Sequence, residues 1–557
     1  MKVPKQEVLA VVARVGRNDL IEQVEAPSRV HSSNSGSHSG CAVSRAARLA
    51  GVRRGVRKRL SAPLAVGAAV IVVSLGCLGC GSSTTGSAAT TAGSATAGAA
   101  KSRLVTRVSG FGSNWTTYHG NEEATGVEAA QTQLLPSRRA WTSSTLDGQL
   151  YGEPLVADGR IVAATENDTV YVMAARSGRI LWSRHLATPV PSTRLPCGDI
   201  SPEVGITGTP VIDLKRDEIF VDADTLIHGP SASGGVEASH RLFGLNLFTG
   251  HVELDQRAMP NAGEDQLAQL QRPGLALDRG LVVIAYGQNF GDCPGPNGPA
   301  HGYVVSIPEQ GGSLHYFQIS SGRDRGAVWM GGSSPVVDPH GNVYVASADG
   351  YDLGAGQPYD DSDAVLELSP TMQLESIFYP RDWQTLSADD LDLGTGDPAL
   401  VDGFVLQVGK TDIAYLLRQG HLGGEEGEIA SLPVCSGNPD GGHAVKGSVV
   451  YIPCPNGVTA IKVSTKPPYL KQLWTDSDGA GGGPIIADGL VWTIGGDDAV
   501  HGLNPANGKE VVSIPFGASA NHFPTPSVGD GLLLLPGVDQ VFAFEGPAGL
   551  PPPPPER

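Results

Sequence analysis

Seven residues stand directly before a recurring proline: Glu153, Thr209, Arg272, Ser334, Asp397, Gly483 and Thr525. A residue before proline is held extended, so each can open a strand. Their side chains are small or polar with three charges, a set that suits a polar ligand better than covalent chemistry. If the seven strands share an axis, these residues ring a channel mouth, and Glu203, His443 and His522, with Asp292, overhang it. Such a funnel either binds a small polar ligand or merely solvates a water-filled channel. Two acidic loops hold Asp352, Asp360, Asp361 and Asp363, and Asp389, Asp390 and Asp392. Clustered carboxylates suit Ca²⁺, which takes six to eight oxygens. Neither loop has EF-hand spacing, so both read as solvated surface. No H-E-x-x-H or G-x-S-x-G signature is present, and neither a catalytic residue nor a metal ligand is assigned.

The elements that must carry these residues are legible in residues 152–182. Four short segments there (Pro-Leu-Val, Arg-Ile-Val-Ala-Ala, Thr-Val-Tyr-Val-Met and Arg-Ile-Leu-Trp) are separated by Asp158-Gly159, Asn167-Asp168 and Ser177-Gly178. Such dipeptides tolerate positive φ and close hairpins, while Val, Ile, Tyr and Trp suit a pleated surface. The stretch is one antiparallel four-stranded meander. Related copies begin near residues 208, 272, 334, 397, 444, 483 and 525. The last lacks its closing strand, and Arg139-Ala140-Trp141-Thr142 precedes the first copy as a fourth strand without the other three. If it completes the eighth unit, the ring is closed. The expected fold is all-β: a β-propeller of eight four-stranded blades closed by an N-terminal strand, or of seven if the fifth or sixth unit is not a full blade.

The repeat, roughly Gly-x-Pro-φ-φ, Asp-Gly-x-Val-φ-φ, Val-Tyr-φ-φ-φ-Ala-x-x-Gly-x-φ-φ-Trp, resembles the pyrroloquinoline-quinone (PQQ)-like repeat. That superfamily includes quinoprotein alcohol dehydrogenases and BamB-like lipoproteins. Trp115-Thr116-Thr117-Tyr118-His119-Gly120-Asn121 is similar to the lead-in of such chains. The catalytic members use Ca²⁺ to polarise PQQ, an Asp base and usually two adjacent cysteines. This chain has no Cys-Cys pair, and only fragments of their tryptophan-docking pattern remain, at 175–179 before Trp182 and at 504–510.

The chain carries 39 Lys and Arg against 57 Asp and Glu, for a net charge of −18. Residues 1–60 hold 12 basic and 4 acidic groups, leaving 27 and 53 beyond. A body that acidic repels phosphate backbones and excludes nucleic acid as a partner. Residues 1–59 read as a disordered basic segment, or as translation from a start set too early. Residues 60–80 read as a signal with a lipobox, lipidated on Cys77 or Cys80, or as an uncleaved membrane anchor. Residues 81–110 form a Ser/Gly/Ala/Thr linker, 111–546 the propeller and 547–557 a Pro-rich tail. Basic residues before the span and acidic ones after it follow the positive-inside rule.

Four cysteines remain in the exported part, and an even number there favours disulfides. Loops leading into a blade and loops after its second strand emerge on one face, which favours Cys197–Cys293 and Cys435–Cys454 over the other pairings. The functional expectation is an exported, envelope-anchored, non-catalytic binding or scaffold module, monomeric, with envelope proteins or a small polar ligand as partners and no cofactor assigned. The alternative is a PQQ- and Ca²⁺-dependent dehydrogenase oxidising an alcohol or sugar.

Overall fold

Asp158 and Gly159 both take positive φ, 46° and 76°, the type I′ geometry that matches the twist of a two-residue hairpin. The same turn joins inner and second strands at Arg279-Gly280, Asp402-Gly403, Asp488-Gly489 and Asp530-Gly531. The protein is described by a computed structural model at residues 113–128, 135–195, 197–227, 237–260, 266–289, 301–320, 325–350, 358–477 and 481–547. Cys77, Cys80, the anchor segment, Asp292, Cys293 and Asp352 lie outside the described residues. Among the described residues, no helix is long and apolar enough to cross a membrane.

In the first blade, Leu155–Ala157, Arg160–Thr165, Thr169–Ala174 and Ile180–His185 pair antiparallel in chain order. The three inner strands are buried almost throughout, whereas the outer one alternates towards solvent. Inner strands touch neighbouring blades on both faces, which is why they read as continuous apolar runs. Seven further blades repeat the arrangement. The eighth is completed by Arg138–Thr142 against Val541–Glu545, with Trp141 opposite Ala543. The ring therefore has eight blades and is closed by the N-terminal strand. The third blade gains Gln269–Leu270, and the fourth gains Gly424–Glu425, parallel to its outer strand.

Tryptophans lock blades to their neighbours. Trp141 donates Nε1–H to the Ala175 carbonyl at 2.7 Å, Trp182 to Leu247 at 3.0 Å and Trp474 to Pro505 at 2.9 Å. Each ring lies on a glycine of the next blade, where a Cβ on Gly178, Gly250 or Gly508 would fall 2.4–2.7 Å from it. The docking pattern therefore survives across blade boundaries. The sequence fragment at 175–179 receives Trp141, from the preceding blade, and not the Trp182 that follows it in the chain.

Residues 113–128 fasten the ring from inside. Trp115 exchanges backbone hydrogen bonds with Val156, both 2.8 Å. Carbonyls of Ser113, Thr116, Glu122, Thr125 and Gly126 then accept from Asp530, Ile212, Val337, Val445 and Ile486. Ala124 packs in one cluster with Val336 and Val405. One short segment thus reaches inner strands around the ring, satisfying N–H groups that no further strand covers.

Candidate functional site

Six of the seven proline-preceding residues, all but Arg272, converge on the centre of the ring, and the Tyr118–His119 pair fills it. These two rings stack with centroids 4.3 Å apart. Glu153 accepts from Trp115 Nε1 at 3.0 Å and from the His119 amide at 2.9 Å, while its own amide donates to Thr209 Oγ1 at 2.9 Å. Tyr118 Oη is 3.2 Å from Thr525 Oγ1 and accepts from the Gly442 amide at 3.2 Å. Asp397 Oδ1 accepts the His443 amide at 2.8 Å, and His443 Nδ1 donates to the Asp397 carbonyl at 2.7 Å. Ser334 packs beside Gly274, and a Cβ on Gly483 would lie 2.7 Å from Tyr118 Oη. Burial lowers the His119 imidazole to about 4, so it is neutral at pH 7, and burial also pushes the Glu153 carboxyl well up. Seven of the ten predicted funnel residues (Glu153, Thr209, Ser334, Asp397, His443, Gly483 and Thr525) therefore surround a plug. Glu203 lies apart, in a two-stranded hairpin opposite Pro191.

The other two, Arg272 and His522, face a cavity of about 570 Å³. It opens where loops into the blades meet loops after second strands. Trp329, Asp392 and Asp440 come from the first kind; Asp349, after Val343–Ala346, and Lys410, after Phe404–Val408, come from the second. Lys410 Nζ donates to Asp390 Oδ1 and Asp392 Oδ2, both at 2.7 Å. Trp329 Nε1 donates to Asp349, and the Asp349 amide reaches Asp392 Oδ1 at 3.3 Å. Behind them, Asp363 accepts from Ser387 at 2.5 Å and from the Leu393 amide at 3.0 Å.

The two acidic loops thus meet, and the expectation of solvated surface is corrected for Asp360, Asp363 and Asp392, which are buried. Asp389 and Asp390 do stay exposed. Burial, then the Asp392 charge, pushes Asp349 up to about 7; burial raises Asp440 to about 6. Burial alone would lower Lys410, but Asp392 and Asp390 outweigh it and hold the ammonium above its usual range. Trp329, Asp349, Lys410 and Asp440 were not singled out from sequence. The available signal was their position in the two kinds of loop that share a face.

Residues 137–359 match the family model described as outer membrane protein assembly factor BamB. Over that stretch the chain is similar to PQQ-like repeat propellers. Its fold is similar to that of the quinohemoprotein alcohol dehydrogenase of Pseudomonas putida HK5, at a TM-score of 0.56 and 13% identity over 80% of this chain and 82% of that one. The quinohemoprotein alcohol dehydrogenase of Comamonas testosteroni gives 0.54 at 14% identity, over 80% and 82%. A europium-containing methanol dehydrogenase gives 0.53 at 13%, over 77% and 90%. No curated protein matches in sequence. At these identities the likeness is one of fold.

The fold relatives suggest a quinone and a metal cation as candidate occupants of the cavity. One oxygen each from Asp349, Asp390 and Asp392 lies within 4.8 Å of the others, the spread a divalent ion could bridge. Lys410 already holds two of those carboxylates, so a cation would have to displace an ammonium. PQQ is a tricarboxylate, and Asp199, Asp349, Asp390, Asp392 and Asp440 face it with only Arg272 and Lys410 opposed. These residues do not fit the quinone and its metal. Cys435 and Cys454 are joined, with Cα atoms 5.4 Å apart. Cys197, at the cavity rim, is disulfide-bonded as well.

Proposed function

We propose that this propeller is a non-catalytic binding module, tethered at the cell envelope, that takes a small polar ligand into the cavity beside Arg272 and Lys410. The observation that carries the reading is the lysine. An ammonium held by two carboxylates stands where a catalytic cation would have to sit, leaving a cavity walled by polar groups and by the faces of Tyr151, Trp329 and Phe523. Concave sites with a few convergent polar groups are ligand sites by their physics. The tether rests on the apolar run at 60–79 and the Ser/Gly/Ala/Thr stretch that follows it. The second reading, PQQ-dependent oxidation of an alcohol or sugar, has in its favour the approach of three carboxylate oxygens to one another.

Titration of the full-length protein separates the two. A panel of polyols, sugars, amino acids and short peptides, and separately PQQ with Ca²⁺, is followed by melting temperature and absorbance. A panel member should raise the Tm saturably, and PQQ should not. Saturable PQQ uptake that needs Ca²⁺ and fails in Asp349→Asn overturns the binding-module reading.

A further inference from the structure

Arg272 is a buried guanidinium, 7% exposed. Among the described residues no carboxylate lies within ion-pair distance of it, and Glu166 and Asp440 act on it only from further away. Its place is built. Nη2 donates to the His522 carbonyl at 2.8 Å, and Cζ lies 5.5 Å from the centre of the Tyr151 ring. Gly332 has φ 80°, and a Cβ there would stand 2.3 Å from Nη1, so only glycine leaves the slot open. Of five N–H donors on the planar fork, one is used among the described residues. A buried charge left unpaired is costly; here it forms part of a cavity wall.

The rest of the lining fixes what kind of anion can come. Lys410 is occupied by Asp390 and Asp392, so among the described residues Asp349, Asp440 and Asp199 line the cavity without an ion-pair partner, opposite the guanidinium of Arg272. A dianion would be repelled by them. A carboxylate joined to a cationic nitrogen is matched at both ends. The turn Met330–Gly332 separates those ends: its Gly332 abuts Arg272, and Trp329 just before it holds Asp349. Aromatic faces of Tyr151, Trp329 and Phe523 can cover apolar atoms between them, and a cavity of about 570 Å³ exceeds the needs of one free amino acid.

We infer that the cavity binds short peptides with a free carboxy-terminus, the carboxylate paired with Arg272 through its fork and a cationic nitrogen set against Asp349 and Asp440. This rests on the binding-module reading above and names its ligand class. A two-pronged guanidinium–carboxylate contact is directional as well as strong, which makes Arg272 the selectivity residue.

The test is native mass spectrometry of the full-length protein with a pool of tripeptides, the same pool amidated at the carboxy-terminus, and a set of sugars and polyols. The free-acid pool should bind at least tenfold more tightly than the amidated pool. Arg272→Gln should remove that preference, and Arg272→Lys, which keeps the charge but not the fork, should restore only part of it. If Arg272→Gln does not fold, the free-acid and amide comparison on the unmutated protein decides alone. Equal binding of both pools overturns the role of Arg272. Binding of sugars but of no tripeptide overturns the peptide class and leaves the binding-module reading standing. Binding of nothing in any set overturns both.

Discussion

Replacing Lys410 by methionine keeps most of the side-chain volume and removes the ammonium. Two hydrogen bonds of 2.7 Å are lost, and they are unequal. The Asp392 side chain is 5% exposed and that of Asp390 is 65% exposed. Stripping one partner from a buried pair costs ~3–5 kcal/mol, whereas an exposed branch contributes at most ~1 kcal/mol. With Lys410 itself 16% exposed, a total loss of ~3 kcal/mol follows from the lower end of that range. For the roughly 390 described residues, unfolding entropy near 2.1 cal/mol/K per residue gives ~0.8 kcal/mol/K, so the Tm should fall by ~4 °C. The variant also uncovers three carboxylates whose oxygens lie within 4.8 Å of one another. Millimolar Ca²⁺ should therefore recover much of the loss in Lys410→Met while leaving the unmutated protein within 1 °C of its metal-free Tm. Scanning calorimetry with and without Ca²⁺ reads both effects. A parent protein stabilised by Ca²⁺ as strongly as the variant refutes the argument, because the lysine would then not be occupying the cation's place.

Three further outcomes follow from the same structure. Burial pushes Glu166 and Asp349 up to about 7 from ordinary values near 4. The native state therefore holds their protons longer than the unfolded chain, and stability falls as pH rises from 5 to 7, by ~1.4 kcal/mol per unit for each group. His119, lowered to about 4, opposes one of them below its ordinary 6.5; a Tm that climbs steadily from pH 5 to 8 contradicts this balance. Trp115→Ala removes a side chain 2% exposed and a donor to Glu153, so a loss of ~3–5 kcal/mol is expected, and a Tm within 1 °C of the parent's would show that the inner fastening contributes little. Cys454→Ser opens a bond spanning 19 residues and should cost ~3 kcal/mol by the chain-entropy argument, read as a lower urea midpoint in the variant than in the parent.

What sequence made legible is what local chemistry decides. Asp158-Gly159 has to turn tightly wherever it sits, and Glu153-Pro154 has to begin extended, so the blade order and the closing role of residues 139–142 could be read one repeat at a time. The docked tryptophans could not. Trp182 follows Ala175–Gly178 in the chain, but an outer strand leans on the next blade, so Gly178 receives Trp141. The acidic loops misled for the same reason. Asp363 and Asp392 look like surface because each lies among charged neighbours, and only the folded loops bring Ser387, Leu393 and Lys410 to them.

The channel shows most sharply why a ring of polar residues need not be a site. Glu153, Thr209, Asp397 and Thr525 occupy the positions from which a funnel would be lined, but Tyr118 and His119 from the lead-in segment bond Thr525 and Glu153, while Thr209 and Asp397 are taken up by the Glu153 and His443 amides. With the axis filled, binding surface has to come from loops. Loops vary without disturbing the sheets beneath them, so a propeller 13% identical to a dehydrogenase can keep the blades and replace the chemistry. In this chain those loops place an ammonium among carboxylates, with a guanidinium on the same cavity wall. A fold comparison is blind to both, because neither residue bends a strand.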